Sequence, residues 1–115
     1  MKNTISLNIN HSEKTRVEHF LNSVEANLEQ IPFDAQELNH VDDIVAGFKF
    51  KAKGQSTFVI VIFANSYFHA NEIRAANSRT KPTLKWTING DILFGVESTD
   101  EDTSSEMLGL FAGRE

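Results

Sequence analysis

Cysteine is absent from the 115 residues, and with it go disulfides, thiolate zinc sites and thiol nucleophiles. That absence fits a reducing compartment. Proline occurs only at positions 32 and 82, and no proline- or glycine-rich linker, repeat or low-complexity tract is present. No apolar run approaches the roughly 20 residues of a membrane span; the longest covers 58–64. The opening MKNTISLNIN lacks the apolar stretch of a secretory leader, so the expected setting is cytoplasmic, with no membrane contact. No G-x-G-x-x-G, Walker A or H-E-x-x-H motif occurs, and no cofactor is expected.

The chain has the length of a common single domain, and 40% apolar residues with a mean hydropathy of −0.30 suit a globular fold. Its net charge of −5 is unevenly spread. Residues 1–48 hold three basic and eight acidic side chains, and residues 86–115 hold one and seven. Between them, Lys49, Lys51, Lys53, Arg74, Arg79, Lys81 and Lys85 face Glu72 alone. A basic centre flanked by acidic ends is either its own complement or a docking field for an acidic partner.

Alternation at Ile5, Leu7 and Ile9 reads as a strand over 4–9. Val17, Phe20, Leu21, Val24, Leu28 and Ile31 then recur at helical spacing, predicting a long helix of about five turns, capped by Asn10 or Ser12 and ended by Pro32. Residues 44–53 alternate Phe48, Phe50 and Ala52 with three lysines, a strand with one packed and one wet face. Gly54-Gln55 suits a tight turn, and TFVIVIFA, apolar on both faces, predicts a central strand. Asn65 or Ser66 caps a shorter helix to about Ser78, with Tyr67, Ala70, Ile73 and Ala76 inward.

Residues 83–98 form a hairpin about Asn89-Gly90. A two-residue loop sets Trp86 opposite Leu93 and Lys85 opposite Phe94; a three-residue loop sets Trp86 opposite Phe94. Thr103-Ser-Ser-Glu106 has the form of a capping box and opens a terminal helix. The expected fold is a single α+β domain spanning 1–115. An antiparallel sheet of about five strands is packed by a long first, a short middle and a C-terminal helix, in the order β-α-β-β-α-β-β-α.

Catalytic and metal readings are thin. His69 and Glu72 share a helix face, but a catalytic metal normally takes three protein ligands and no local third exists. His40, Asp42 and Asp43 fall in an acidic loop, and His19 sits within the first helix. Residues 100–111 imitate a calcium loop but have Ser105 where glycine is needed and Phe111 where glutamate is needed. Acids before a helix are explained by its dipole. Ser66 and His69 lack an orienting carboxylate, and Asp91 and Glu97 share only a hairpin. A small-molecule binder or hydrolase using His69 with nearby carboxylates stays open as an alternative to a non-enzymatic protein. So does a nucleic-acid binder using the basic segment 49–85, although Phe48, Phe50 and Trp86 point away from the lysines as core residues do.

A helix ending in Ala75-Ala76-Asn77 is followed by the strand pair Leu84-Lys-Trp86 and Asp91-Ile-Leu-Phe94. An acidic loop then leads through Ser104-Ser-Glu-Met-Leu108 into a last helix. With the long first helix and the 44–64 hairpin, the order over about 12–113 resembles the type III secretion chaperone-like fold. It departs in having a strand before the first helix and two strands, rather than three, between helices. The resemblance implies a small acidic domain, often dimeric, without cofactor or catalytic residues, that binds an unfolded segment of a protein partner along apolar surface.

Overall fold

The computed structural model describes residues 5–23, 28–34, 44–52, 57–81 and 83–98, with 102, 105, 108 and 109. Its elements are α1 (Lys14–Ser23), β1 (Leu28–Ile31), β2 (Ile44–Ala52), β3 (Thr57–Ala64), α2 (Tyr67–Thr80), β4 (Leu84–Asn89) and β5 (Ile92–Ser98). The strands form one antiparallel sheet in the order β1-β2-β3-β5-β4. β3 is central, as its two apolar faces require.

Val59, Val61 and Phe63 of β3 join Phe48, Phe50, Ala52, Ile92, Phe94 and Val96 under Val17 and Leu21 of α1. Ile60, Ile62 and Ala64 join Leu84 and Leu93 under Ala70 and Ile73 of α2. A helix therefore lies on each side of an antiparallel sheet. Phe20 meets Phe94 edge-to-face at 5.4 Å between centroids, a favoured aromatic geometry.

Five strands are present among the described residues, but they are not the expected five. Residues 5–9 alternate in burial, with Ile5 and Leu7 inside, yet among the described residues they pair with no strand. Their backbone is bonded by α1 side chains instead: Asn22 Oδ1 accepts the Ile5 N–H at 2.7 Å, and Glu18 Oε2 accepts the Leu7 N–H at 2.6 Å. The place in the sheet goes to Leu28–Ile31, which the helical stripe had assigned to the first helix. Helix propensity is a weak prior, and four residues paired with Lys49–Ala52 cover an edge of β2 that would otherwise be bare. α1 is consequently 10 residues long and α2 14, the reverse of the expected long and short helices.

Neither Asn10 nor Ser12 begins α1; the His11 carbonyl accepts the Lys14 N–H at 3.1 Å. Ser66 caps α2 by accepting the His69 N–H. The inward line of α2 is Ala70, Ile73 and Asn77, and Tyr67, expected to face inward, is 60% exposed. Gly54-Gln55 lies outside the described residues, as does nearly all of the expected C-terminal helix. Asp102, Ser105, Leu108 and Gly109 there have helical backbone, and Leu108 packs on the α1-side core.

The 84–98 hairpin has a two-residue loop, but it is Gly90-Asp91 rather than Asn89-Gly90. Gly90 has φ +67°, which hairpin turns of this length demand at their first position. Trp86 thus faces Gly95 rather than Leu93, and Lys85 faces Val96 rather than Phe94. A Cβ on Gly95 would stand 2.7 Å from the indole ring, so only glycine lets that ring lie on the sheet. Phe33 covers Gly47 of β2 in the same manner, on the same face. Gly95→Val is expected to destabilise the domain by about 1–3 kcal/mol through overpacking, read as a lower urea midpoint by far-ultraviolet circular dichroism.

Candidate partner-binding surfaces

Strand parity separates the basic residues. β2 turns Phe48, Phe50 and Ala52 towards α1, which sends Lys49 and Lys51 to the α2 side of the sheet. β4 does the opposite: Leu84, Trp86 and Ile88 face α2, so Lys85 is exposed on the α1 side. The sequence-predicted basic residues therefore do not share one face. Lys53 lies outside the described residues.

α2 packs over β3, β5 and β4. On the same face, beyond it, stand the half-buried Lys49 and the exposed Lys51 of β2. The Lys49 Nζ lies 5.1 Å from the centre of the half-buried Phe58 ring, a cation–π distance that anchors the ammonium over an apolar surface. Pairing puts Glu29 beside Lys51 and Glu97 beside Phe58, so the end row of this face reads acid, base, aromatic, acid.

α2 runs from the Ala64 end of the sheet back to Leu84, whose N–H bonds the Lys81 carbonyl at 3.0 Å. Its exposed Arg79 and half-buried Lys81 therefore reach the same sheet end as Lys51. Arg74 sits midway and donates to Asn71 Oδ1 from Nε at 3.2 Å and from Nη2 at 2.6 Å. The opposite end is apolar. Ile44 pairs with Ala64, and a bulge at Val45 leaves that side chain 56% exposed, at the end where Tyr67 (60%) and Phe68 (65%) begin α2. On the α2 side, one end of the sheet carries Lys51, Arg79 and Lys81 against Glu29 and Glu97, a basic excess, and the other exposes Val45, Tyr67 and Phe68.

Two histidines, His69 and His11, have structural contacts. His69 Nδ1 lies 2.9 Å from Ser66 Oγ, inside the cap of α2, and Glu72 is exposed. His19 is exposed on α1. His11, which sequence patterns did not single out, contacts Asp91 80 residues away: Nε2 to Oδ2 is 3.1 Å, and its ring lies 4.9 Å from that of Phe63. Its Nδ1 takes the Glu13 N–H at 3.0 Å. A backbone N–H can only donate, so Nδ1 is the acceptor and Nε2 carries the proton aimed at Asp91. Both nitrogens are occupied, and the pair fastens the start of α1 to the β4–β5 hairpin. Among the described residues, no three histidine, aspartate or glutamate side chains gather as a metal site. His40, Asp42 and Asp43, and most of the 100–111 segment, lie outside them.

Comparison with protein families, with curated proteins and with solved structures found no match. No helix among the described residues is long and apolar enough to cross a membrane.

His11→Phe keeps a ring beside Phe63 but loses both hydrogen bonds. Unfolding free energy is expected to fall by about 1–3 kcal/mol in chemical denaturation, and wild-type ¹⁵N–¹H correlation spectra should show the Nε2–H tautomer for His11.

Proposed function

We propose that this is a non-enzymatic protein-binding domain, of chaperone, adaptor or inhibitor type, that docks a protein partner through the α2-side sheet face and its neighbouring edge. The observation that carries the reading is the cationic sheet end. Lys49, Lys51 and Phe58 occupy the part of the face beside α2, and the end of α2 brings Arg79 and Lys81 towards them. Charge set on an apolar ring, next to a short outer strand, suits an acidic, partly extended partner better than a small molecule. The chain's remaining net negative charge would discourage non-specific association.

The resemblance to type III secretion chaperone-like proteins supports the same reading. In its support, the order α1-β1-β2-β3-α2-β4-β5 has no strand before the first helix and three between the helices; against it, the long first helix of the resemblance is only 10 residues here. In this reading the domain works in the cytoplasm, without a cofactor, as a monomer or homodimer. Lys85, on the other sheet face, stands apart from the docking surface.

The test is affinity capture of a partner from the native cell, followed by Lys49→Gln, Lys51→Gln and Lys53→Gln together. Glutamine is chosen because glutamate at 51 would stand opposite Glu29. The triple variant should lose at least about tenfold in affinity for the captured partner, while stability stays within about 1 kcal/mol, as befits changes largely at the surface. Unchanged affinity would remove the basic end as the docking surface. Retention of an oligonucleotide with a steep salt dependence would point to nucleic acid in its place.

A further inference from the structure

Residues 5–9 lie on the α1 side of the sheet as a bound peptide would. Ile5 and Leu7 are 6% and 1% exposed, while Ser6 and Asn8 face solvent. Alternation of this kind is the pattern of extended backbone over 5–7, after which the Ile9 N–H turns back to the Leu7 carbonyl at 3.0 Å; among the described residues no strand pairs with the segment. Two side chains one turn apart on α1 read the backbone instead. Asn22 accepts the Ile5 N–H at 2.7 Å and donates to the Ile5 carbonyl at 3.1 Å, so one amide holds both polar groups of one residue. Glu18 accepts the Leu7 N–H at 2.6 Å. Asn22 Nδ2 also donates to the Glu18 carbonyl at 2.9 Å, a bond within α1 that orients the amide whether or not a peptide is present.

These bonds ignore side-chain identity. They require an extended backbone, and the core beneath requires apolar side chains two residues apart. Beyond Ile9 the segment is fastened by His11 to Asp91. A sheet strand is held by a ladder of main-chain bonds on its neighbour; here one carboxylate and one amide do the holding.

We propose that the trough between α1 and the sheet is a binding site for an extended protein segment with apolar side chains at alternate positions, and that residues 5–9 are its built-in, displaceable occupant. This rests on the protein-binding reading and specifies the partner segment. The tether keeps the occupant at an effective concentration of order millimolar, so an incoming segment needs a second foothold; a partner that reaches round the sheet would find one at Lys49 and Lys51 on the opposite face.

The experiment titrates a fluorescein-labelled peptide of residues 4–11 into the full-length chain and follows anisotropy. Leu7→Asp should expel the occupant while leaving Val17, Glu18, Leu21 and Asn22 unchanged. That variant is expected to bind the peptide about tenfold or more tightly than the wild type, which must release its own segment first. A peptide carrying the same Leu7→Asp change should not bind. A folded Leu7→Asp chain that ignores the wild-type peptide, or takes up both peptides equally, overturns the proposal. Should Leu7→Asp lose its native circular dichroism, His11→Ala replaces it: it gives up the Asp91 and Glu13 bonds but leaves Val17, Glu18, Leu21 and Asn22 unchanged; stronger peptide uptake than wild type supports the trough, and unchanged uptake refutes it. The lysine variants separate the two readings. Peptide uptake without any charge-dependent capture of a partner sinks the docking surface alone, and charge-dependent capture without peptide uptake sinks the trough alone.

Discussion

The strand Thr57–Ala64 has no wet face, and the rest of the domain is arranged to keep both of its sides dry. Val59, Val61 and Phe63 on one side, and Ile60, Ile62 and Ala64 on the other, are all essentially buried. Burying a side chain of this kind is worth about 1.5–3 kcal/mol, and no single layer can cover both sides. β2 and β5 flank it, α1 with the 5–9 segment covers one face, and α2 covers the other. The outermost strands, β1 and β4, are less enclosed, and exposed polar side chains stand there: Glu29 and Gln30 on opposite faces of β1, and Lys85 on β4.

The same constraint decides where charge can go. Phe48 and Phe50 must meet α1, so Lys49 and Lys51 emerge on the α2 side, where they remain only because α2 is displaced towards β4. β4 turns its apolar residues towards α2, and Lys85 is therefore sent to the other face. A cluster of cations continuous in sequence is thus divided in space by the pleat of two strands with opposite facing. The two surfaces that remain differ in character. One is a charged sheet end beside an aromatic ring, and the other is a trough already filled by the chain's own residues.

The periodicity of single elements was legible; competition between elements was not. β2, β3, α2 and the β4–β5 hairpin follow from alternation, apolar runs and the Ser66 cap. Leu28 and Ile31 continue the helical stripe of Val17 and Leu21, and only the bare edge of β2 explains why they leave it. Ile5 and Leu7 alternate as a strand does, but whether a segment joins a sheet depends on what else bonds its backbone, and here Glu18 and Asn22 do. The hairpin register turned on an indole needing a glycine opposite, a condition set by shape rather than turn propensity. Of the candidate site residues, strand parity sets Lys49 and Lys51 on the face opposite their buried phenylalanine neighbours, with Lys51 exposed and Lys49 half-buried. Nothing local connects His11 with Asp91, because that contact exists only once the sheet has assembled.

Trp86, the chain's lone tryptophan, rests on Gly95 under α2, and its Nε1 is buried without a hydrogen-bond partner among the described residues. Its emission colour is therefore a private channel to one layer of the sandwich. Loosening of α2 will register in it, whereas events under α1, on the reverse of the sheet, will pass in the dark and must be followed through a reporter placed there.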